Sequence, residues 1–577
     1  TKIPELHLKN PKLWWPKGYG APHLYDVEFC FETDGKVTDK TSFKSGVRQM
    51  TYSEETYKPS GGMSVGSFGQ SEPQRLSLFI NGRRFIGFGG NWGFGESNLN
   101  YREREYDIAV AYHADMNFTM IRNWVGQIGD KEFYEACDRH GIMVWQDFWL
   151  ANPVDGPNPY YTEMFNANAC DYLKRIRNHP SIGIYVGRNE GNPPAGIDDY
   201  LRGLVFREHP GLYYISNSAM GVVSGGGPYR ALSPKSYFQS YGHDKFHSER
   251  GMPNVMNYES MLLTFGTDKI EPVNTSETPN PVYGLHDYTL GGGKGSSAQA
   301  ASSFNDMIEK AFGRPRDAKQ FAEWAQWINY DGYRAIFEGR SEHRRGMLLW
   351  MSHSAWPSMV WQTYDYYFDP NAAYFGCKKA SEPLHIQWNP LRDDIEVVNY
   401  HAFDRTGLTA TASLFNQDGT LQWTRETKLD IKEDQTVACF PLEQPETLSD
   451  TYFIKLSLTD SDGKQLSDNF YWRGKEDGNY KSLLQLPKVS VCKNVTVKKT
   501  GKEWLIRAVL KNEARTPALM LRLKVAGEKS GRMLLPVFYS DNYFSLLPGE
   551  VKEVDIRLYD ADTYGEKPVL EVLGFNL

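Results

Sequence analysis

Residues 178–194, NHPSIGIYVGRNEGNPP, constrain this chain more than any other stretch. Ser181 to Val186 are small, β-branched or aromatic without polar alternation, the pattern of a strand covered on both faces. Gly187 opens a turn-rich segment, and Pro193 and Pro194 stop the strand from continuing. Glu190, flanked by Asn189 and Asn192, therefore falls where a parallel strand gives way to a loop. In a barrel of parallel strands, that end carries the chemistry. A lone glutamate in such a place is more often a helix N-cap or a solvated loop acid.

A second segment has the same grammar. In KFHSERGMPNV, residues 245–255, a short run leads to Glu249, Arg250-Gly251 breaks it and Pro253 closes it. Positions 190 and 249 are 59 residues apart, room for two or three β/α units. Glycoside hydrolysis with retention uses two carboxyls roughly 5–5.5 Å apart, one as acid and base and one as nucleophile. Two strand-end glutamates on one barrel rim can meet that spacing. Glu259, in NYESM, is the alternative nucleophile, but its neighbours Tyr258 and Met261 read as a helix start. A first-turn acid favoured by the helix dipole is the simpler reading of it.

Seven blocks occur in order: LWWPKGYGAPHLY, FIGFGGNWGFGE, MNFTMIRNWVGQ, GIMVWQDFW, NHPSIGIYVGRNE, FHSERGMPNV and LLWMSHSAWPSMVWQTYDYY. Together they resemble glycoside hydrolase family 2, in its β-mannosidase and exo-β-D-glucosaminidase branches, from about Leu13 to the C-terminus. The resemblance implies a retaining exo-glycosidase on a (β/α)8 TIM barrel, with the acid/base after strand 4 and the nucleophile after strand 7. Those positions are Glu190 and Glu249. It also implies that Asn189 bonds the sugar 2-OH, where the plain alternative is a loop carbonyl's partner. One departure stands out: the glucosaminidase branch usually has Asp as acid/base, and this chain has Glu190.

At 577 residues the chain exceeds a single core and predicts several domains. Net charge is −7, which gives no electrostatic case for nucleic acid or an anionic membrane. Aromatic content is 14%, with 15 Trp and 35 Tyr, which suits stacking on sugar faces and also large β-rich cores. The cysteines at 30, 137, 170, 377, 439 and 492 form no CxxC or Cys/His cluster, so neither a metal site nor a redox pair is expected. No cofactor motif is visible. No run of 18 apolar residues occurs. The chain starts at Thr1 without a signal peptide, and a mature or fragmentary product, periplasmic or secreted, is expected. Asn117, Asn274 and Asn494 open three-residue sequons, weak signals by themselves.

The domain reading follows the change of period. Residues 1–82 alternate as the later part of an immunoglobulin-like sandwich, with KPSGGMSVGSFGQSEPQ as an insertion. In the family a sugar-binding jelly roll precedes this sandwich, and an N-terminally incomplete chain is the expectation. Residues 83–388 alternate strands and helices as a (β/α)8 barrel. Its predicted strands are 85–91, 119–124, 143–148, 182–186, 213–216, 237–240, 245–248 and 347–352. Residues 268–297 read as a long loop over the active-site mouth. Residues 389–476 and 477–577 return to all-β as two further immunoglobulin-like sandwiches with no catalytic-looking cluster.

Around the two glutamates, Trp92, Trp124, Trp350 and Trp356 at strand ends are expected sugar-binding walls, since barrel cores use mainly Val, Ile and Leu. Asp147 could bind hydroxyls or pair with Arg122. His247 beside the nucleophile reads as a structural histidine. The first functional reading is a retaining exo-β-glycosidase, acting on β-mannosides in an oligosaccharide or glycan. Exo-β-D-glucosaminidase and endo-β-mannosidase are the enzymatic alternatives, and an inactive carbohydrate-binding protein is the alternative of another class. Glucosamine needs carboxylates near its 2-position to hold an ammonium, and only Asp147 or Glu96 offers one. The sequence sets no oligomeric state.

Overall fold

The computed structural model describes residues 3–56, 74–239, 245–273, 280–286 and 302–577. At its centre are eight parallel strands: β1 (Gly87–Trp92), β2 (Met120–Asn123), β3 (Met143–Asp147), β4 (Ile182–Arg188), β5 (Tyr213–Asn217), β6 (Val223–Ser224), β7 (Phe246–Arg250) and β8 (Gly346–Leu349). They are bonded in the order β5-β4-β3-β2-β1-β8-β7-β6. Because β1 pairs with β8, Gly90 beside Leu349, the sheet curls back on itself, and its seam lies between β5 and β6. This is the (β/α)8 class expected. Helices α1 (Glu103–Asp115), α2 (Lys131–His140), α3 (Thr162–Ile176) and α4 (Ala195–Glu208) follow the first four strands in turn. The second half carries α5 (Pro234–Gln239), α6 (Tyr258–Phe265), α7 (Pro281–Leu285), α8 (Ser302–Phe312) and α9 (Ala318–Glu338), and α10 (Ala372–Ala380) follows β8.

One strand expectation is corrected. The sixth strand is the two-residue β6, and Tyr237, expected in it, lies in α5. Two residues are too few to show a period, whereas Pro234 opens a helix without losing a bond. The Tyr237 ring is needed there, 5.4 Å from the Arg250 guanidinium that it covers. The loop expected over the mouth, and the sequon at Asn274, lie largely outside the described residues, as does most of the 58–74 insertion.

The strand interiors are apolar on both faces, as β4 suggested: all seven of its residues are buried. Inside the curl, Met120, Met143, Trp145, Ile184, Val186, Phe246 and Leu348 join Trp14, Leu76, Leu78 and Ile80 of the N-terminal strands in one cluster. The N-terminal strands thus close the lower end of the barrel. The outer face of the sheet packs on its helices, and that layer runs on into the C-terminal β-sandwich through Leu519, Leu521, Phe538 and Tyr543. Tyr112 of α1 ties the two together, bonded to Val537. Between them in sequence, strands Leu384–Asn389, Asp394–Asn399 and Gln435–Pro441 face a four-stranded sheet over a separate core containing Ile386, Ile395, Leu414 and Ile454. The upper, C-terminal ends of the parallel strands are left to build the site.

Candidate active site

The site starts from Arg122 on β2. It is fully buried, which for a guanidinium is tolerable only with anions and acceptors around it. Its Nε and Nη2 grip Asp147 of β3, the shortest contact being 2.7 Å. Nη1 donates to Glu249 Oε1 at 2.6 Å, and Nη2 also donates to Asn189 Oδ1 at 2.7 Å. One side chain therefore fixes groups from β3, the end of β4 and β7. Burial works against its charge, but Asp147 and Glu249 outweigh that cost and hold its pKa above the ordinary value.

Glu249 lies within β7 and is enclosed. The chain can pass on because Gly251 follows: a Cβ there would stand 2.0 Å from the Trp350 carbonyl oxygen. Glu190, just past β4, adopts φ +46°, a left-handed conformation unusual for a side chain of its size. Its amide is held by Ser218 Oγ at 3.0 Å, and the preceding amide, of Asn189, donates to Leu150 O at 3.0 Å.

The two glutamates meet over one hydroxyl. Tyr229 donates to Glu249 Oε2 at 2.6 Å and stands 3.4 Å from Glu190 Oε1. Those two oxygens therefore lie no more than the sum of the contacts, 6.0 Å, apart. That is short of the roughly 6.5–9.5 Å that admits a water between carboxyls and close to the roughly 5–5.5 Å of a double displacement.

Burial raises the pKa of both acids. Glu249, the deeper, is pushed up to about 7, with Glu190 adding repulsion and Arg122 and Tyr229 opposing. Glu190 is raised by burial too, against the pull of Arg122. Burial by itself would favour the proton on Glu249. The direct Arg122 contact and the short Tyr229 bond favour charge on Glu249, whereas Glu190 feels Arg122 without an ion-pair contact, has the longer approach from Tyr229 and a bond from Asn152, and is opposed by the Asp155 charge. The pair titrates as a unit, and in its singly protonated state the proton sits better on Glu190.

The other expected site residues divide. Trp350 is half-buried and meets Trp124 edge-on at 5.0 Å, and Tyr229 lies 6.3 Å away, so these rings form one aromatic wall. Trp361, not singled out from the sequence, extends it at 6.0 Å from Trp350. Trp356 is half-buried and stacks on His286 at 5.8 Å. Trp92 is a correction: it is fully buried, its Nε1 donates to His113 Nε2 at 3.0 Å, and its ring stacks on His353 at 4.3 Å. It has no face left for a sugar. Asp147 is a second correction, since Arg122, Trp145 Nε1 and the Val125 amide occupy both its oxygens. His247 is bonded to Ser224 Oγ and to Gly227 O, the structural role expected. Glu259 sits in the first turn of α6, paired with Arg522 and Lys524 of the C-terminal sandwich, away from the pair. Burial opposes its charge, but those cations hold its pKa down to about 2. Among the described residues no group of His, Cys, Asp and Glu has the makings of a metal site, and no helix is long and apolar enough to cross a membrane.

Two close carboxyls, one buried and one half-buried, with an aromatic wall at the C-terminal rim of parallel strands are the arrangement a glycoside hydrolase needs. Residues 1–48 match Glycosyl hydrolases family 2, and residues 469–577 match the Exo-beta-D-glucosaminidase Ig-fold domain. A mannosylglycoprotein endo-beta-mannosidase of Lilium longiflorum is 27% identical over 100% of this chain and 70% of its own length. An exo-beta-D-glucosaminidase of Streptomyces avermitilis is 27% identical over 99% of this chain and 66% of its own length. The crystal structure of Amycolatopsis orientalis exo-chitosanase CsxA superposes with a TM-score of 0.84 at 25% identity, covering 99% of this chain and 70% of that one. The chain is a glycoside hydrolase similar to those of family 2, and enzymes named as β-mannosidases and exo-β-D-glucosaminidases are among its relatives. It spans about two thirds of the length of these relatives.

Proposed function

We propose that the protein is a retaining β-glycosidase acting on terminal β-mannosides by double displacement. Glu249 attacks the anomeric carbon while Glu190 protonates the departing oxygen; Glu190 then takes a proton from the water that releases the sugar. Arg122 and Tyr229 keep Glu249 anionic and aimed. Asn189, whose Oδ1 is held by Arg122, has its Nδ2 left to donate to a sugar hydroxyl. Trp350, Trp124 and Trp356 supply the apolar walls. The observation that carries this reading is the single Tyr229 hydroxyl in contact with both acids.

The choice of a neutral sugar rests on the carboxylates that an ammonium would need. Asp147 is committed to Arg122 and inaccessible. Glu96 is buried too, its Oε2 accepting from the Asn98 and Asn100 amides. Glu190, in place of the aspartate usual in the glucosaminidase branch, points the same way. The match of residues 469–577 to a glucosaminidase domain favours the other sugar, and the test separates them. With p-nitrophenyl β-D-mannoside and β-D-glucosaminide, kcat/KM is expected to be at least about tenfold higher for the mannoside, a difference of ~1.4 kcal/mol in transition-state binding. A preference for the glucosaminide overturns the substrate assignment, and turnover of neither overturns the glycosidase.

A further inference from the structure

The loop from β3 to α3 lies against the flank of Glu190. Leu150 O accepts from the Asn189 amide, and the Pro153 ring packs 3.0 Å from where a Cβ on Gly191 would stand. Arg188, the last residue of β4 and itself buried, clamps the loop from beneath, donating to Ala151 O and to Asn158 Oδ1 at 2.7 Å each. Asn152 turns the chain tightly, its Oδ1 accepting from the Val154 and Asp155 amides at 2.9 and 2.8 Å.

Despite this anchoring, the same loop leaves large apolar side chains in water. Val154 is 93% exposed, Tyr160 88% and Tyr161 71%, and Met164, in the first turn of α3, is 62% exposed. A cluster of this kind on a pinned loop suits a ligand better than it suits solvent. The direction of the reaction says which ligand. The general acid protonates the oxygen of the leaving group, so the leaving group lies on the side of Glu190, and the sugar that stays lies over Glu249. A loop packed on the flank of Glu190 therefore borders the departing half of the substrate.

We propose that residues 151–161 form a subsite for a sugar leaving group, in which Tyr160 and Tyr161 stack on the departing ring and exposed Asp155 accepts its hydroxyls. Two rigid aromatic faces with few rotors suit the apolar C–H face of a hydroxyl-edged pyranose ring. This inference rests on the glycosidase reading above, and its test is chosen to keep the two apart. The protein and its Tyr160→Ala/Tyr161→Ala variant are assayed on a β-linked mannobiose and on β-mannosyl fluoride, whose leaving group is too small to reach the loop. The fall in kcat/KM on the disaccharide is expected to exceed that on the fluoride by about tenfold or more. Equal falls on both substrates, or none on either, overturn the subsite and leave the glycosidase standing. No turnover of either substrate by the unsubstituted protein overturns both. Tyr160→Ala alone gives the same comparison should the pair fail to fold.

Discussion

Tyr229→Phe removes one oxygen from the centre of the site and little else. The ring stays against Trp350 and Trp361, so no cavity opens. What is lost is a 2.6 Å bond donated to the Glu249 carboxylate. A hydrogen bond to a charged group contributes about 1.5–3 kcal/mol net, or about one to two units of pKa at ~1.36 kcal/mol each. Tyr229 lowers the Glu249 pKa, so its removal raises that pKa from about 7. The nucleophile must be ionised in the free enzyme, and the acidic limb of kcat/KM should therefore move up by about one to two pH units. At pH 6 the variant should be slower by about tenfold or more, with much of the loss recovered at pH 8.5. The assay is kcat/KM from pH 4.5 to 9 on a 2,4-dinitrophenyl glycoside, whose leaving group needs no protonation and so removes the Glu190 limb. A limb that stays in place or moves down would refute the reasoning, because the hydroxyl would then not be supporting the charge on Glu249.

Four further substitutions test other parts of the site. Burial pushes the Glu249 pKa up to about 7 against 4.5 for an exposed glutamate, so the folded pair, titrating as a unit, holds a proton between those values that the unfolded chain has lost. That contribution is fully present below pH 4.5 and is lost as pH rises through 7. Glu249→Gln should therefore be inactive yet more stable in urea at pH 7.5, with a margin that grows from pH 4.5 to 7; a margin that shrinks with pH contradicts the burial argument. In Glu249→Ala, azide should restore turnover and give a glycosyl azide of inverted configuration, while Glu259→Ala should keep its turnover and lose about 1–3 kcal/mol of stability as buried Arg522 loses a partner. Azide rescue in Glu259→Ala alone would exchange their roles. Trp92→Phe breaks the bond to His113 and should lower the melting temperature, by about 1–3 kcal/mol of stability, with KM unchanged; a KM rise with stability intact would return Trp92 to the sugar wall.

Much of the fold was legible because its signals are local. β4 is apolar on both faces and ends in two prolines, so strand, direction and terminus could all be read from 17 letters. The same holds for the alternating runs after Trp388, where one face of each strand is wet, as in Arg405–Asn416. β6 was illegible for the opposite reason. Val223–Ser224 makes its ladder contacts only because β7 is already there to pair with it, and a two-residue strand has no period of its own. The hairpin Tyr25–Thr33 with Lys36–Ser45 was plain in pattern, yet its aromatic face is half open, with Phe31 67% exposed. Alternation reports which side could be buried and is silent on what buries it.

The site was legible as a pair of acids and illegible as a network. Strand-end position alone selected Glu190 and Glu249 and demoted Glu259, because a carboxylate's place on a strand or in a first helical turn is written in its neighbours. Arg122 entered the sequence reading only as a possible partner of Asp147, and Tyr229 did not enter at all. Neither has a local signature: Arg122 looks like any strand residue in MIRNW, and Tyr229 lies in GGGPYRA, a loop between β6 and α5. Their importance comes from contacts 127 and 20 residues away in sequence, to Glu249, and 39 residues away, to Glu190. Trp92 and Asp147 erred in the complementary way. Both sit at strand ends, but in each the side chain finds a buried partner before it reaches the cleft, His113 for one and Arg122 for the other. Position along a strand tells which residues are near the rim; the electrostatic need of a buried arginine decides which of them remain free to meet a substrate.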